Sequence, residues 1–338
     1  MNSRGNVPPR SWADPSVHLL ELLTHPWYGL VFDISAKVIE AVFGFFKDLH
    51  YAPAAVPVTT GSISSPVGLG SNSLPVPIEL FGMQTFLADS MQFHLEAVLR
   101  HARTGVYYVM PTFRGDSPDD THVSQFVHVE AERRGSLELT LSVVEKLVAR
   151  IAAELLQSGL VSRIDEAAGS VAHIESLATR TPVRVRYSEV LGLVADVRSA
   201  TELIGDEPCL TRQGERLVLE RLNASAAWIT HPPASIVPFY QACDSSGRAL
   251  CGDLIMSIGE VVGAGQRHST DKACYEALLK HHVDPQPYDW YLEMKREHPL
   301  ETSGFGMGLE RLVAVILRHN DIRDLQLFPR LRTIPYPY

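Results

Sequence analysis

A glycine at every second position, Gly304, Gly306 and Gly308, followed by an apolar run from Leu309 to Leu317, constrains this chain more than any other feature. Glycines at that spacing let a strand backbone lie flush against a flat ligand, because no side chain intervenes. The apolar run reads as a helix, with Arg311 on its first turn. A guanidinium beside a glycine-lined surface can stack on a planar ring or grip a phosphate. This is the layout of a nucleotide site. It is not a dinucleotide fingerprint, which needs G-x-G-x-x-G, because position 309 is Leu.

Thirty basic against thirty-nine acidic side chains leave a net charge of −9. That argues against a broad nucleic-acid surface, though not against a local basic groove. Four cysteines, Cys209, Cys243, Cys251 and Cys274, show no C-x-x-C pairing, so neither a zinc site nor a disulfide framework is suggested. No apolar stretch reaches transmembrane length, and Pro, Trp and Asp interrupt any signal-like run behind Arg4 and Arg10. The expectation is a soluble protein of a reducing cytoplasm, with no membrane partner.

Along the chain, residues 1–30 read as an irregular N-terminal extension and 31–338 as one catalytic domain, with 160–225 as a candidate small insertion. Ile34, Val38, Val42, Phe45, Phe46 and Leu49 recur at helical spacing from Asp33 to His50, with Asp33 or Ser35 as cap. Ser90–His101 and Thr140–Leu156 read as helices, as do Asp271–His282 and Tyr288–His298. Val106–Arg114 and Gln125–Glu132 read as strands, as do Ala226–Thr230 and the Leu250–Val262 region. The class is α+β with a largely antiparallel sheet. The histidines, including His281 and His282, read as surface residues.

A second signal is the hairpin Pro111-Thr-Phe-Arg114-Gly-Asp116 to Phe126-Val-His-Val-Glu130-Ala-Glu132, which sets a cation and an aromatic ring over one surface. Taken with Gly304-Phe-Gly-Met-Gly-Leu-Glu-Arg311, Ile322-Arg-Asp324 and Phe328-Pro-Arg330, it resembles motifs 2 and 3 of the class II aminoacyl-tRNA synthetases, aspartyl/asparaginyl branch. Pro57 occupies the place of the motif 1 proline. The resemblance runs from about residue 35 to the C-terminus and implies that family's antiparallel sheet flanked by helices.

By that resemblance, Arg114, Glu260 and Arg311 are catalytic. ATP is held by Arg114, Asp116, His122, Phe126, Gly304, Gly306, Gly308 and Arg311, with Phe126 stacking on adenine. Ser90, Gln92, Gly263 and Arg267 face the amino-acid substrate, and Asp253 with Glu260 binds Mg²⁺. The odd spacing of Asp253 and Glu260 would put them on opposite faces of a flat strand, so a bulge or turn near Gly259 is required. A homodimer is implied.

The family's N-terminal anticodon-binding barrel has no counterpart, which makes tRNA an unlikely partner on this reading. A branch of free-standing asparaginyl paralogues makes asparagine instead, and Glu79–Gln92 and Ser64-Ser-Pro-Val-Gly68 look closest to it. Leu95 stands where aspartate-using members carry a lysine that pairs with the side-chain carboxylate. Thr121 replaces a loop arginine that reaches the γ-phosphate, Asp116 a glutamate, and Gln125 another. The first expectation is therefore an AMP-forming ligase that adenylates aspartate or an aspartate-like acid and passes it to ammonia or an amine. The second is an aminoacyl-adenylate enzyme loading a tRNA, a carrier protein or a small acceptor. The third is a non-catalytic amino-acid or nucleotide sensor.

Overall fold

The computed structural model describes residues 7–65 and 73–331; the part of the Ser64–Gly68 loop beyond Ser65 lies outside them. The first elements correct the sequence expectation. Residues 1–30 were read as irregular, but α1 spans Pro15–Thr24 and α2 spans Pro26–Asp48. Asp14 caps α1 by accepting the Ser16 N–H, His25 caps α2 by accepting that of Trp27, and each helix has proline in its first turn. The helical stripe begins at Trp27, Tyr28, Leu30 and Val31, not at Asp33. What fixes this segment is distant in sequence: Trp12 Nε1 donates to Asp324 Oδ1 and Trp27 Nε1 to Asp324 O, both at 2.8 Å.

The short strands β1 (Ala52–Pro53) and β2 (Thr59–Thr60) follow, then the hairpin β3 (Val76–Leu80) and β4 (Met83–Leu87) and helix α3 (Gln92–Leu99). Strands β5 (Gly105–Phe113) and β6 (Gln125–Arg134) form the expected long hairpin, and α4 (Leu137–Leu156) is the expected amphipathic helix. Next come α5 (Val161–Ala168), α6 (Ala172–Thr179), β7 (Val183–Arg186), α7 (Tyr187–Val194), the hairpin β8 (Thr201–Ile204) and β9 (Glu207–Leu210), and α8 (Arg212–Leu222). The chain continues through β10 (Ala227–Thr230), β11 (Cys251–Met256), β12 (Gly259–Gln266), α9 (Asp271–Lys280), α10 (Asp289–Glu297), β13 (Thr302–Gly308) and α11 (Leu309–Ile316).

Eight strands make the main sheet in the order β1-β5-β6-β13-β12-β11-β10-β7. Only the outer pairs β1–β5 and β7–β10 are parallel. Residues 160–225 are accordingly not a separate insertion. Strand β7 closes the main sheet, and α7 and α8 bury Val190, Val194 and Val218 against Ala227, Ile229 and Ile255 of that sheet.

Alternation sorts the two faces. Val129 and Ala131 of β6, Phe305 and Met307 of β13, and Val262 and Ala264 of β12 point into the main core with residues of α2, α4 and α11. Each fully buried large side chain contributes roughly 1.5–3 kcal/mol. The intervening residues face the other way, and there the helices cover only the flanks. Helix α3 packs Met91, Leu95 and Leu99 on Val106 and Tyr108 at one side, while α7 and α8 cover the other. The uncovered middle lies over β6, β13, β12 and β11. No helix among the described residues is long and apolar enough to cross a membrane.

Candidate functional site

Register turns that middle into a trough. Tyr108, Glu130, Gly306, Gly263 and Asp253 lie side by side across five strands, so two glycines are flanked by two carboxylates. The next row is Glu132, Gly304, Gly265 and Cys251. The two rows differ in what fills the missing side chains' space. A Cβ at Gly306 would come no closer than 3.4 Å to Glu130 Oε1, whereas one at Gly304 would sit 2.2 Å from Glu132 Cδ and one at Gly265 1.8 Å from Gln241 Oε1. Gly306 and Gly308 therefore line an open cavity of about 470 Å³, and Gly304 does not. Its expected nucleotide contact is corrected: the room it leaves holds the Glu132 carboxylate.

The required irregularity between Asp253 and Glu260 is present twice. The chain turns between β11 and β12, with Gly259 at φ +107°, and the register shifts so that Leu254 pairs with Val262 but Ile255 with Glu260. Val261 is the extra residue of a bulge, which brings Glu260 round to the face of Asp253. Both carboxylates meet above Gly263, whose Cβ would lie 2.9 Å from Glu260 Oε1 and 3.7 Å from Asp253 Oδ1. Depth in the fold, with Glu260 and Glu215 nearby, pushes the Asp253 carboxyl well above the usual range; its exposure to the cavity tempers that shift. Among the described residues no three His, Cys, Asp or Glu side chains could hold a metal by themselves. Two oxygen donors with room beside them suit Mg²⁺, which completes its shell from phosphates and water.

Arg311, on the first turn of α11, donates from Nη1 to Glu260 O at 2.7 Å and from Nη2 to Thr121 O at 3.3 Å, with His122 Nε2 also 3.3 Å away. Arg114 leaves the end of β5 and lines the same cavity, its Nε 3.1 Å from Asp116 Oδ2. Asp116 itself stays outside the lining, occupied by Arg114 and by the Leu74 N–H at 3.1 Å, so its expected direct contact with nucleotide is corrected to a brace on Arg114. Phe126 lies in the lining, its ring edge-on to His128 at 4.7 Å. Burial, with Arg311 and Arg114 adjacent, holds His122 below its ordinary value against the pull of Asp119.

The loop that presents His122 is organised from outside the hairpin. Asp119 Oδ1 accepts from the Thr121 and His122 N–H groups at 2.7 and 2.8 Å. Arg212, the first residue of α8, reaches Asp119 Oδ2 at 3.1 Å and Asp120 Oδ1 at 2.8 Å. Sequence reasoning missed Arg212 and Glu215 because both lie in the stretch set aside as an insertion. Burial first, then Glu260, pushes the Glu215 carboxyl up to about 7. Capping Thr211 just ahead of them was the available signal, but it marks a helix start and not its destination.

At the other part of the trough, Gln92, Ser90 and Arg267 are brought together as expected. Ser90 Oγ donates to Glu130 Oε2 at 2.6 Å, and Gln92 Nε2 is buried without a hydrogen-bond partner. Arg267, 3% exposed, donates from Nε and Nη2 to Glu132 Oε1 at 2.9 and 2.5 Å and from Nη1 to Gln241 Oε1 at 3.2 Å. Burial pushes Glu132 up to about 8 against the pull of Arg267. Beneath this pair, Glu96 accepts from Lys295 Nζ at 2.9 Å and Thr302 Oγ1 at 3.1 Å. Leu95 is fully buried between Met91 and Leu99 and does not line the cavity. His281 is also corrected: it is 4% exposed, with Nε2 3.0 Å from Ala234 O.

Comparison with known proteins agrees with this geometry. The model of the tRNA synthetases class II (D, K and N) matches residues 16–332. An asparagine–tRNA ligase of Thermosynechococcus vestitus is 28% identical over 296 residues, covering 84% of this chain and 63% of that protein. A probable cytoplasmic asparagine–tRNA ligase of Encephalitozoon cuniculi is 27% identical over 299 residues, with 84% and 64% covered. The chain thus spans less than two thirds of the length of these relatives. In fold it is similar to the asparaginyl-tRNA synthetase of Pyrococcus horikoshii complexed with asparaginyl-adenylate, with a TM-score of 0.88 at 23% identity over 98% of this chain and 74% of that one. The expectation that tRNA is an unlikely partner is overturned here, because the relatives are tRNA ligases by name. A β-sheet of this order, its motif 2 and motif 3 regions meeting in one cavity, and a family match over nearly the whole chain lead to one statement: the chain belongs to the class II tRNA synthetases of the D, K and N group.

Proposed function

We propose that the protein forms an aminoacyl adenylate from ATP and asparagine and transfers the acyl group to a tRNA. The observation that carries the reading is the single trough in which Arg114, Arg311, Phe126, Asp253 and Glu260 adjoin Gln92, Glu130 and Arg267. A carboxylate is a poor electrophile. Attack of its oxygen on the α-phosphorus of ATP forms a mixed anhydride with AMP, and pyrophosphate leaves. The chain's contribution is positioning and charge. Arg114 and Arg311 neutralise phosphate oxygens through charge-assisted hydrogen bonds, Phe126 offers a ring to the adenine, and Gly306 lets the nucleotide lie close. Asp253 and Glu260 would hold a Mg²⁺, which supplies further neutralisation of phosphate charge when bound.

Asparagine is favoured over aspartate by charge. The Arg267 guanidinium is already bound by Glu132, and Glu130 adds a further carboxylate nearby. A neutral carboxamide suits that setting better than another carboxylate. The unpartnered Gln92 amide is a donor that a substrate oxygen would satisfy. The relatives' names favour tRNA as acceptor over ammonia. A homodimer fits the exposed Phe32 and Phe43, which lie on one stripe of α2.

Pyrophosphate exchange across a panel of amino acids tests the first step: asparagine should give the fastest ATP labelling, with AMP and pyrophosphate as products. ADP as the sole nucleotide product would sink it. Acyl transfer to tRNA then tests the acceptor; asparagine made from aspartate and ammonia, with no tRNA charged, would restore the amide-forming reading.

A further inference from the structure

The far end of the β5–β6 hairpin carries a second, differently built cavity. Its residues pair at Gly105 with Arg133, eight positions along β5 from Phe113, which puts it roughly 25 Å from the Arg114 end at strand rise. About 360 Å³ in volume, it is lined by Tyr51, Arg103, Thr104, Arg133, Arg134 and Lys146 with two apolar neighbours, and shares no lining residue with the catalytic trough.

Four cations therefore crowd one concavity of a chain whose net charge is −9. None of the four makes an ion pair among the described residues. The acids closest in sequence to Arg133, Arg134 and Lys146 are taken by other arginines, Glu132 by Arg267 and Glu138 and Glu145 by Arg184. Instead, backbone carbonyls hold the guanidiniums in place. Arg133 donates from Nε to Arg134 O at 3.2 Å and from Nη1 to Leu139 O at 3.5 Å, and Arg134 donates from Nη2 to Ala102 O at 3.3 Å. Like charges held together repel, and an anion between them relieves the repulsion.

Tyr51 adjoins one of these cations, the Arg133 guanidinium. Its ring packs flat on Gly105, where a Cβ would lie 2.3 Å from Tyr51 Cε2, and against Phe46 at 5.2 Å. Only 8% of the residue is exposed, and its hydroxyl, enclosed beside the Arg133 guanidinium, completes no hydrogen bond. A buried donor left unsatisfied costs about 1–3 kcal/mol, so such groups ordinarily find a partner.

We infer that this cavity is a binding site for a short oligophosphate, held by Arg103, Arg133, Arg134 and Lys146 with the Tyr51 hydroxyl donating to a phosphate oxygen. Planar guanidiniums match phosphate oxygens in pairs, and the ammonium adds a mobile point charge. The concavity is open to solvent but small, a size that suits a compact anion rather than a nucleic-acid strand, which needs a long groove that follows its backbone. The site stands apart from the adenylate chemistry and does not depend on it.

Titration calorimetry with inorganic tripolyphosphate tests this at physiological ionic strength. Wild type should bind at two sites, one of which survives Arg311→Gln and is weakened at least about tenfold in the R103Q/K146Q double variant. Tyr51→Phe should weaken the same site several-fold. Circular dichroism should be unchanged in the R103Q/K146Q variant, since Arg103 and Lys146 are both exposed. Pyrophosphate exchange should be unchanged in the R103Q/K146Q variant. A single site abolished by Arg311→Gln would overturn the proposal, as would affinity indifferent to R103Q/K146Q. Binding of a duplex RNA oligonucleotide that needs Arg103 and Lys146, while tripolyphosphate does not bind there, would overturn it in favour of a nucleic-acid surface.

Discussion

Two glycines two residues apart give opposite predictions. Gly306 borders open space, so Gly306→Val should leave the fold intact and block the nucleotide, raising the KM for ATP by tenfold or more in pyrophosphate exchange. Gly304→Ala should do the reverse. Its methyl would meet Glu132 Cδ and Ala131 O within 2.5 Å, an overpacking cost of about 1–3 kcal/mol, read as a fall in urea midpoint. At the same scale, Arg311→Ala should lower kcat by roughly a hundredfold or more, the loss seen when one preorganised charge-stabilising donor is removed.

His268 gives a pH signature of folding. Burial pushes it down to about 4, and its Nε2 lies 3.0 Å from Phe239 O. An unfolded histidine titrates near 6.5. Between those values the unfolded chain takes up a proton that the native one refuses, so stability falls as pH drops from about 6.5 to about 4 and is level above. Urea midpoints measured across that window should fall more steeply for wild type than for His268→Gln; equal slopes would show that His268 is not the group responsible.

Among the elements, the bulge in β12 and the start of α8 decide the site. Val261 is the added residue that turns Glu260 to the face of Asp253, and Glu260→Gln tests that placement by removing the charge held above Gly263. Magnesium-dependent exchange should then fall by at least about tenfold, ~1.4 kcal/mol of transition-state stabilisation, at a melting temperature measured in parallel. Arg212→Ala should release the Asp119–His122 loop. The ion pairs are half-exposed, so the effect is about 1 kcal/mol, seen as a severalfold rise in KM for ATP with kcat less affected. The element scale is also where legibility in the sequence divides. The odd spacing of Asp253 and Glu260 was enough to require a bulge or turn. Nothing in the spacing of 160–225 told that α8 leans on the β5–β6 loop, because that contact spans some ninety residues and leaves no periodic trace.

For the molecule as a whole, the exposed stripe of Phe32 and Phe43 on α2 predicts self-association. Light scattering behind size exclusion should give a dimer mass, and Phe43→Glu should shift it to monomer without loss of helix content. A monomer in wild type at working concentration would refute that assembly. The charge of −9 places any tRNA contact on local basic surface, so tRNA affinity should fall with added salt by a slope that counts few phosphates.

By itself the sequence determined the period of the glycine strand, the apolar helix behind it, the hairpin bearing Arg114 and Phe126, and with them the class of sheet and of chemistry. Those signals are local: each is carried by residues a few positions apart. Tertiary structure alone decided which glycine faces a ligand and which makes room for Glu132, that Leu95 lies in the core, and that residues before Asp33 are helical because Trp12 and Trp27 reach Asp324. Each of these depends on register between strands or on a partner hundreds of residues away. Short-range pattern fixes what an element is; packing fixes what stands opposite it.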